Sequence, residues 1–361
     1  PCSVACPANI CVQGYVGRIA GGRYAEALAL IRRRNPLPVV SSRVCHRPCE
    51  KVCTRADSDG TIAINDLKRW LVDWEMAHPS QDIRTPCGLS TGRRVAVVGS
   101  GPSGLACAHE LRVRGHDVVV LDEHDAPGGL LVQGIPEHRL PREVLSYETD
   151  WILDHGIEFR GNVRLGRDAT VKGLLEDGFD AVYLGIGAMS GLPLGVPGDD
   201  RTGNLDALDL LRKHHRGERI EARGKRFLVV GGGDAALDAS RTLLRLGAAS
   251  VRIVYRRSRE EMPAHPEEID AAEKEGVELV TRVAPVRVGN DGEVSIPRVE
   301  GEVGRITNDS IRASSRWRSG RNSGSETCSP RPMVGRLFSW RLARSICVVC
   351  RSRRLWCWWW Q

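Results

Sequence analysis

Two strand–glycine–helix–strand repeats behind a cysteine-dense, helix-patterned head predict an α/β protein: a small α-helical domain followed by two Rossmann-like domains. The first repeat opens with Arg93-Arg-Val-Ala-Val-Val98, an apolar run suited to a parallel strand covered on both faces. Gly99-Ser-Gly101-Pro102-Ser103-Gly104 follows at once. The second repeat copies that plan at Lys225–Val230 and Gly231-Gly-Gly233-Asp234-Ala235-Ala236. Cysteine usage marks the head: six of the twelve lie between Cys2 and Cys53.

In the head, Val12–Ala20 and Tyr24–Arg32 show apolar spacing of period 3.6 and are predicted helices. Around them stand Cys2-x3-Cys6-Pro7 and Cys45-x3-Cys49-x3-Cys53, thiols one helical turn or one tight loop apart. Iron–sulfur clusters need such groups, because four soft ligands must converge on one small inorganic core. Zinc is the chemical alternative, although its sites favour paired knuckles, and buried structural cysteines are the plainest reading. A disulfide scaffold is not expected beside nucleotide-binding signals in a chain of this size.

In the first repeat, Gly99 permits the tight turn and Gly101 lets the backbone approach a pyrophosphate. Gly104 allows close helix–strand packing, and the helix N-terminus faces the phosphates. A helical stretch over Leu105–Arg114 leads to the strand His116–Leu121, and Asp122 at its end is placed to accept from a ribose hydroxyl. In the second repeat the strand Ser250–Tyr255 ends in Arg256-Arg257 where the first has Asp122. A carboxylate there repels a 2′-phosphate and a guanidinium binds it, so NADPH is expected over NADH. A basic surface turn is the bland alternative. Asp270–Leu279 reads as a helix and strand of the same domain.

The net charge of +7 is uneven: residues 302–361 hold twelve Arg, no Lys and three acidic residues, together with six of the nine Trp. Without them the chain is slightly acidic, so neither a nucleic-acid nor a membrane partner is expected from the charge. No apolar run reaches the ~18–20 residues of a membrane helix, no signal peptide is visible, and a cytoplasmic protein is expected. The chain starts Pro-Cys-Ser without Met and reads as a fragment. Its end, rich in Arg, Ser, Cys and Trp, reads as GC-rich sequence translated out of frame from about residue 295–310, or as disordered. A basic aromatic binding segment is the functional alternative. Cys347-x2-Cys350 is taken as coincidence. The expected domains are 1–88, 93–204, 205–300 and an aberrant 301–361.

Pro1–Pro7, Tyr24–Pro38, Arg43–Cys53 and Tyr255–Pro263 resemble the small (β) subunit of glutamate synthase and its relatives, which include the electron-input half of dihydropyrimidine dehydrogenase. The resemblance covers residues 1 to about 290 and implies FAD in the first Rossmann-like domain, NADPH in the second and [4Fe–4S] clusters, one or two, in the head. Pro127–Pro141 is similar to the family's second flavin-contact segment, which implies flavin contacts at Gly129, Leu130 and Arg139. Surface positions are the plain reading of Arg139 and the preferred one for His138. Asp180–Ala188 is similar to the strand that returns to the flavin, with Gly187 in its turn. By position, Cys6, Cys45 and Cys49 serve one cluster; Cys2 and Cys53 serve another, whose usual Cys-x2-Cys pair falls before this chain begins. Relatives can complete the first cluster with Gln or Glu on the following helix, where this sequence has Leu67-Lys68-Arg69.

The chemistry so implied is hydride transfer from nicotinamide to flavin and electron release through clusters, work done by the cofactors, so no catalytic side chain is named. The implied partner is a large catalytic subunit such as that of glutamate synthase. Alternatives are another redox partner (a ferredoxin, hydrogenase or formate dehydrogenase) or, in a different class, an inactive remnant.

Overall fold

The computed structural model describes residues 1–79, 83–188, 190–191, 193–200 and 204–289, and the backbone of three short strands at 294–297, 303–306 and 347–350. The head comprises α1 (Cys2–Ala5), α2 (Val12–Ala20), α3 (Tyr24–Arg32), α4 (Pro38–Val44), α5 (Pro48–Lys51) and α6 (Ile64–Ala77). Both predicted helices take their expected bounds. Pro38 and Pro48 open α4 and α5, where a missing N–H costs nothing. Ala27, Leu28 and Ile31 of α3 and Leu71 and Val72 of α6 are fully buried.

The first Rossmann-like domain runs β1 (Arg94–Val98), α7 (Pro102–Val113), β2 (Asp117–Leu121), α8 (Leu130–Gln133), α9 (Arg142–Leu153), β3 (Glu158–Arg160), α10 (Val171–Glu176) and β4 (Ala181–Leu184). These strands are parallel in the order β4-β1-β2-β3, with Val95 opposite Val118 and Val97 opposite Tyr183. Both sheet faces are covered. Val97, Val118 and Val120 pack with Leu105 and Trp151 on one side; Ala96, Val98, Val119 and Leu121 pack with Leu174 and Phe179 on the other. That double burial explains the unbroken apolar runs in the sequence. Helix α7 begins at Pro102, three residues before the expected stretch, because proline is preset for the first helical position.

The second domain runs α11 (Ala207–His215), β5 (Arg226–Val230), α12 (Asp234–Arg245), β6 (Ser250–Tyr255), α13 (Pro266–Lys274) and β7 (Glu278–Thr281), with β5-β6-β7 parallel. Strands β8 (Arg287–Val288), β9 (Val294–Pro297) and β10 (Val303–Ile306) form an antiparallel sheet. Of the expected aberrant tail, only the backbone of β10 and of β11 (Cys347–Cys350) belongs to the described residues; β11 pairs antiparallel with β4. No helix among the described residues is long and apolar enough to cross a membrane.

The chain divides into two compact units, one holding residues 1–132 and 137–188, the other residues 133–136 and those from 190 to beyond β10. The head and the first Rossmann-like domain thus share a unit, and the joint between them is specific. Leu37 of the head enters the core formed by Val97, Leu105 and Trp151. Glu148 on α9 is fully buried, and its two oxygens accept from the Val39 and Val40 N–H groups at 2.7 Å each. Those are orphan donors of the first turn of α4, whose own N-cap, Leu37, has no capping side chain. Burial pushes the Glu148 carboxyl up to about 8 against the pull of those two donors. Arg32 forms a buried bidentate pair with Glu75 and lies 3.9 Å over the Trp151 ring.

Candidate cofactor sites

Three of the five candidate metal-binding cysteines meet. Cys6, Cys45 and Cys49 line one cavity of about 30 Å³, more than the ~10–15 Å³ a single water needs. Ile10, Val12 and Ile64 make its apolar wall, and Tyr15, Asn65 and Lys68 add polar atoms. The hydroxyl of Tyr15 donates to the Ile64 carbonyl at 3.1 Å and is spent there. Two non-glycine residues beside the cysteines, Asn9 and Arg47, are left-handed, with φ of 50° and 53°. Such strain persists only where the surroundings over-determine it. The Arg47 N–H donates to the Cys45 sulfur at 3.4 Å.

Burial, with the neighbouring Cys45 and Glu50, pushes the Cys49 thiol up to about 11. Among the described residues no three His, Cys, Asp or Glu side chains are grouped to hold one metal ion. Cys2 in α1 and Cys53 after α5 do not line this cavity. Hydrogen bonds from the backbone at Ile62 and Arg55 hold the Cys53 thiol below its ordinary range.

In the first glycine-rich loop, Gly99 has φ of 102°, and a methyl group on it would lie 2.3 Å from the Gly185 carbonyl oxygen. A methyl group on Gly104 would lie 1.7 Å from the Gly99 carbonyl oxygen. Gly101 differs: nothing stands within 4 Å of where its side chain would begin. This open space lies at the N-terminus of α7, whose N-cap Gly101 has no capping side chain, so the first-turn N–H groups face it. Gly129 closes over the loop, and a Cβ on it would meet the Gly101 Cα at 2.9 Å. Leu130 starts α8, and Arg139 is half-buried in the turn before α9. Gly187, with φ of 70°, lies exposed past the end of β4 beside the exposed Ile186. The open space at Gly101, at a helix N-terminus, suits an anionic group such as a pyrophosphate.

Two expected contacts are already engaged. Ser103 is hydrogen-bonded to the Tyr183 hydroxyl at 2.7 Å. Asp122 is buried and braces the loop itself: Oδ2 accepts from the Ser100 N–H and hydroxyl at 2.7 and 2.6 Å, and Oδ1 from the His124 N–H at 3.0 Å. Burial raises this carboxyl, but the hydrogen bonds outweigh it and hold it below the usual range. No sequence pattern pointed to this bracing role, although a serine between the two glycines is its partner.

The second loop repeats the arrangement. Gly231 has φ of 137°, Gly233 caps α12 with open space where its side chain would begin, and Asp234 and Ala235 start the helix. The Asp234 carboxylate faces the His265 N–H at 3.4 Å. Arg256 and Arg257 follow β6, both exposed, and among the described residues no ion pair involves either. Arg259, by contrast, is bound to Asp270 and, at 2.8 Å, to Glu273.

Residues 93–315 match the family of pyridine nucleotide-disulphide oxidoreductases, and residues 1–80 match the dihydropyrimidine dehydrogenase domain II, 4Fe-4S cluster. The glutamate synthase [NADPH] small chain of Escherichia coli K12 is 36% identical over 359 residues, covering 94% of this chain and 74% of the relative. The chain belongs to the glutamate synthase small-chain family. The match to the oxidoreductase part of this family runs beyond the charge boundary at residue 301. Another relative, the NADP(+)-dependent formate dehydrogenase subunit beta of Moorella thermoacetica, is 38% identical over 299 residues, or 77% of this chain. The chain spans only 42% of that subunit's length. A 6-hydroxypseudooxynicotine amine oxidase from Pseudomonas geniculata N1 shares the fold at 17% identity, with a TM-score of 0.51 over 81% of this chain and 42% of the other.

Proposed function

We propose that this chain is the electron-input unit of a multi-subunit oxidoreductase: NADPH delivers electrons through FAD to a [4Fe–4S] cluster and from there to a large catalytic or other redox subunit. The observation that carries this reading is the union, in one compact unit, of the three-thiol cavity and the open glycine loop. The N-terminus of α7 with Gly101 holds the FAD pyrophosphate, and Cys6, Cys45 and Cys49 hold the cluster. In the second unit Gly233 and α12 take the NADPH pyrophosphate while Arg256 and Arg257 take its 2′-phosphate. Once bound, the flavin accepts an electron pair and the cluster carries electrons singly. The chain's own part is to position these groups and keep water from them. All eight described cysteines outside the strands β9–β11 are free, which suits a reducing, cytoplasmic compartment.

Glutamate synthase is the favoured system, because that relative is matched over 74% of its own length. The formate dehydrogenase subunit supports a second reading with a different partner. We further infer that the reading frame is lost in the Arg-, Ser- and Trp-rich tail, which resequencing the locus tests. For the main proposal the measurement is an anaerobic titration of the purified chain with NADPH. Bleaching of a flavin spectrum is expected; a colourless protein would instead support the inactive remnant.

A further inference from the structure

The cavity framed by Cys6, Cys45 and Cys49 offers three thiolates, whereas a four-iron core has four irons to satisfy. Two polar side chains from α6 share its wall. Lys68 is buried and its Nζ donates to the Ser41 hydroxyl at 3.3 Å. An ammonium carries three donors and no lone pair, so it balances thiolate charge rather than binding iron.

Asn65 is different. It is 4% exposed, and its Nδ2 donates to the Ser42 carbonyl at 2.8 Å. A carbonyl can only accept, so this bond fixes which end of the amide is nitrogen. The opposite end, Oδ1, is left buried with no hydrogen-bond partner. The Asn65 backbone N–H donates to Glu50 Oε1 at 2.7 Å, which ties the start of α6 to α5, the helix that carries Cys49. An orphaned buried carbonyl is costly, and native proteins seldom keep one that has nothing to meet.

We infer that Oδ1 of Asn65 is the fourth ligand of the cluster held by Cys6, Cys45 and Cys49. This rests on the iron–sulfur reading of the head. A neutral amide oxygen is a harder and weaker donor than a thiolate and leaves the cluster less negative than four cysteines would. The consequence is a cluster that is easier to reduce, with one iron held more loosely than the other three.

The test uses the full chain, reconstituted anaerobically with iron and sulfide, and reads iron content, electron paramagnetic resonance and reduction potential. Asn65→Ala is expected to hold about one iron fewer than wild type and to show, when oxidised, the half-integer-spin signal of a three-iron cluster, with flavin content unchanged. Asn65→Asp keeps the shape but adds an anionic oxygen; it should hold the wild-type iron and lower the potential. Lys68→Met should keep the wild-type iron. Iron content, spectrum and potential unchanged in both Asn65 variants would overturn the inference, as would iron loss in Lys68→Met but not in Asn65→Ala. Should Asn65→Ala fail to fold, an unchanged potential in Asn65→Asp overturns it alone. A wild-type chain that takes up no iron and sulfide would bring down the iron–sulfur reading itself, an outcome distinct from the rest.

Discussion

In the first glycine-rich loop a methyl group at Gly104 would lie 1.7 Å from the Gly99 carbonyl oxygen, while in the second loop the equivalent position already carries the methyl of Ala236. A methyl group on Gly231 would still stand 3.7 Å from it. The residue ending the second strand diverges in the same sense. Asp122 is buried and turned inward on its own loop, whereas Arg256 is exposed and in no ion pair among the described residues. The same chain plan thus diverges: in the first loop this position holds the cradle together, and in the second it stands exposed. A fingerprint aligns such residues without telling structure from recognition.

The sharpest break of this contrast is Gly104→Ala. Backbone is in the way, so we expect a loss of about 3 kcal/mol or more and of flavin binding, read by urea unfolding and flavin stoichiometry. Wild-type stability in that variant would mean the first loop is no tighter than the second. Asp122→Asn should cost roughly 2 kcal/mol, since it removes charge-assisted bonds to Ser100 and His124.

Acid should act on the same domain through His109 of α7, whose ring stacks on Trp151 with centroids 5.2 Å apart. Burial, then His155 and Arg32, push it down to about 4. Between pH 6.5 and 4 the folded chain therefore binds fewer protons at His109 than the unfolded chain. Its contribution, about 3 kcal/mol, is complete above pH 6.5 and fades as the pH falls toward 4. His109→Phe should flatten that part of the stability–pH curve; an unaltered slope would assign the acid sensitivity elsewhere.

Arg256→Glu should leave unfolding unchanged and weaken NADPH by about tenfold or more with NADH spared, a result read from the two KM values. Equal losses for both nucleotides would refute the ligand-facing role. Smallest is Ala236→Gly, about 1 kcal/mol from backbone freedom in a helix, with NADPH binding retained.

Strands, glycines and both early helices were legible because each depends on local pattern: β1 and β2 are buried on both faces, and α2 and α3 on one. The family resemblance likewise separated Cys6, Cys45 and Cys49 from Cys2 and Cys53. What sequence could not supply were contacts between distant segments. Glu148 meets Val39 and Val40 across more than a hundred residues, and no periodicity encodes that. The bracing by Asp122 was hidden for another reason, since a carboxylate at a strand end reads alike whether it faces ribose or Ser100. Asn65 stands between Ile64 and Asp66 as an ordinary polar residue of α6, and its unmet buried oxygen shows only in the structure.

Helix α4 runs directly into Cys45, yet the carboxyl group that caps it belongs to α9, more than a hundred residues later in the chain. Until α9 has folded against it, the first turn of α4 lacks that cap and frays. The helix that leads into Cys45 therefore draws part of its stability from the first Rossmann-like domain. Nor is the head a portable cassette, for a graft of residues 1–88 onto another flavoprotein would need an acid waiting where Glu148 stands.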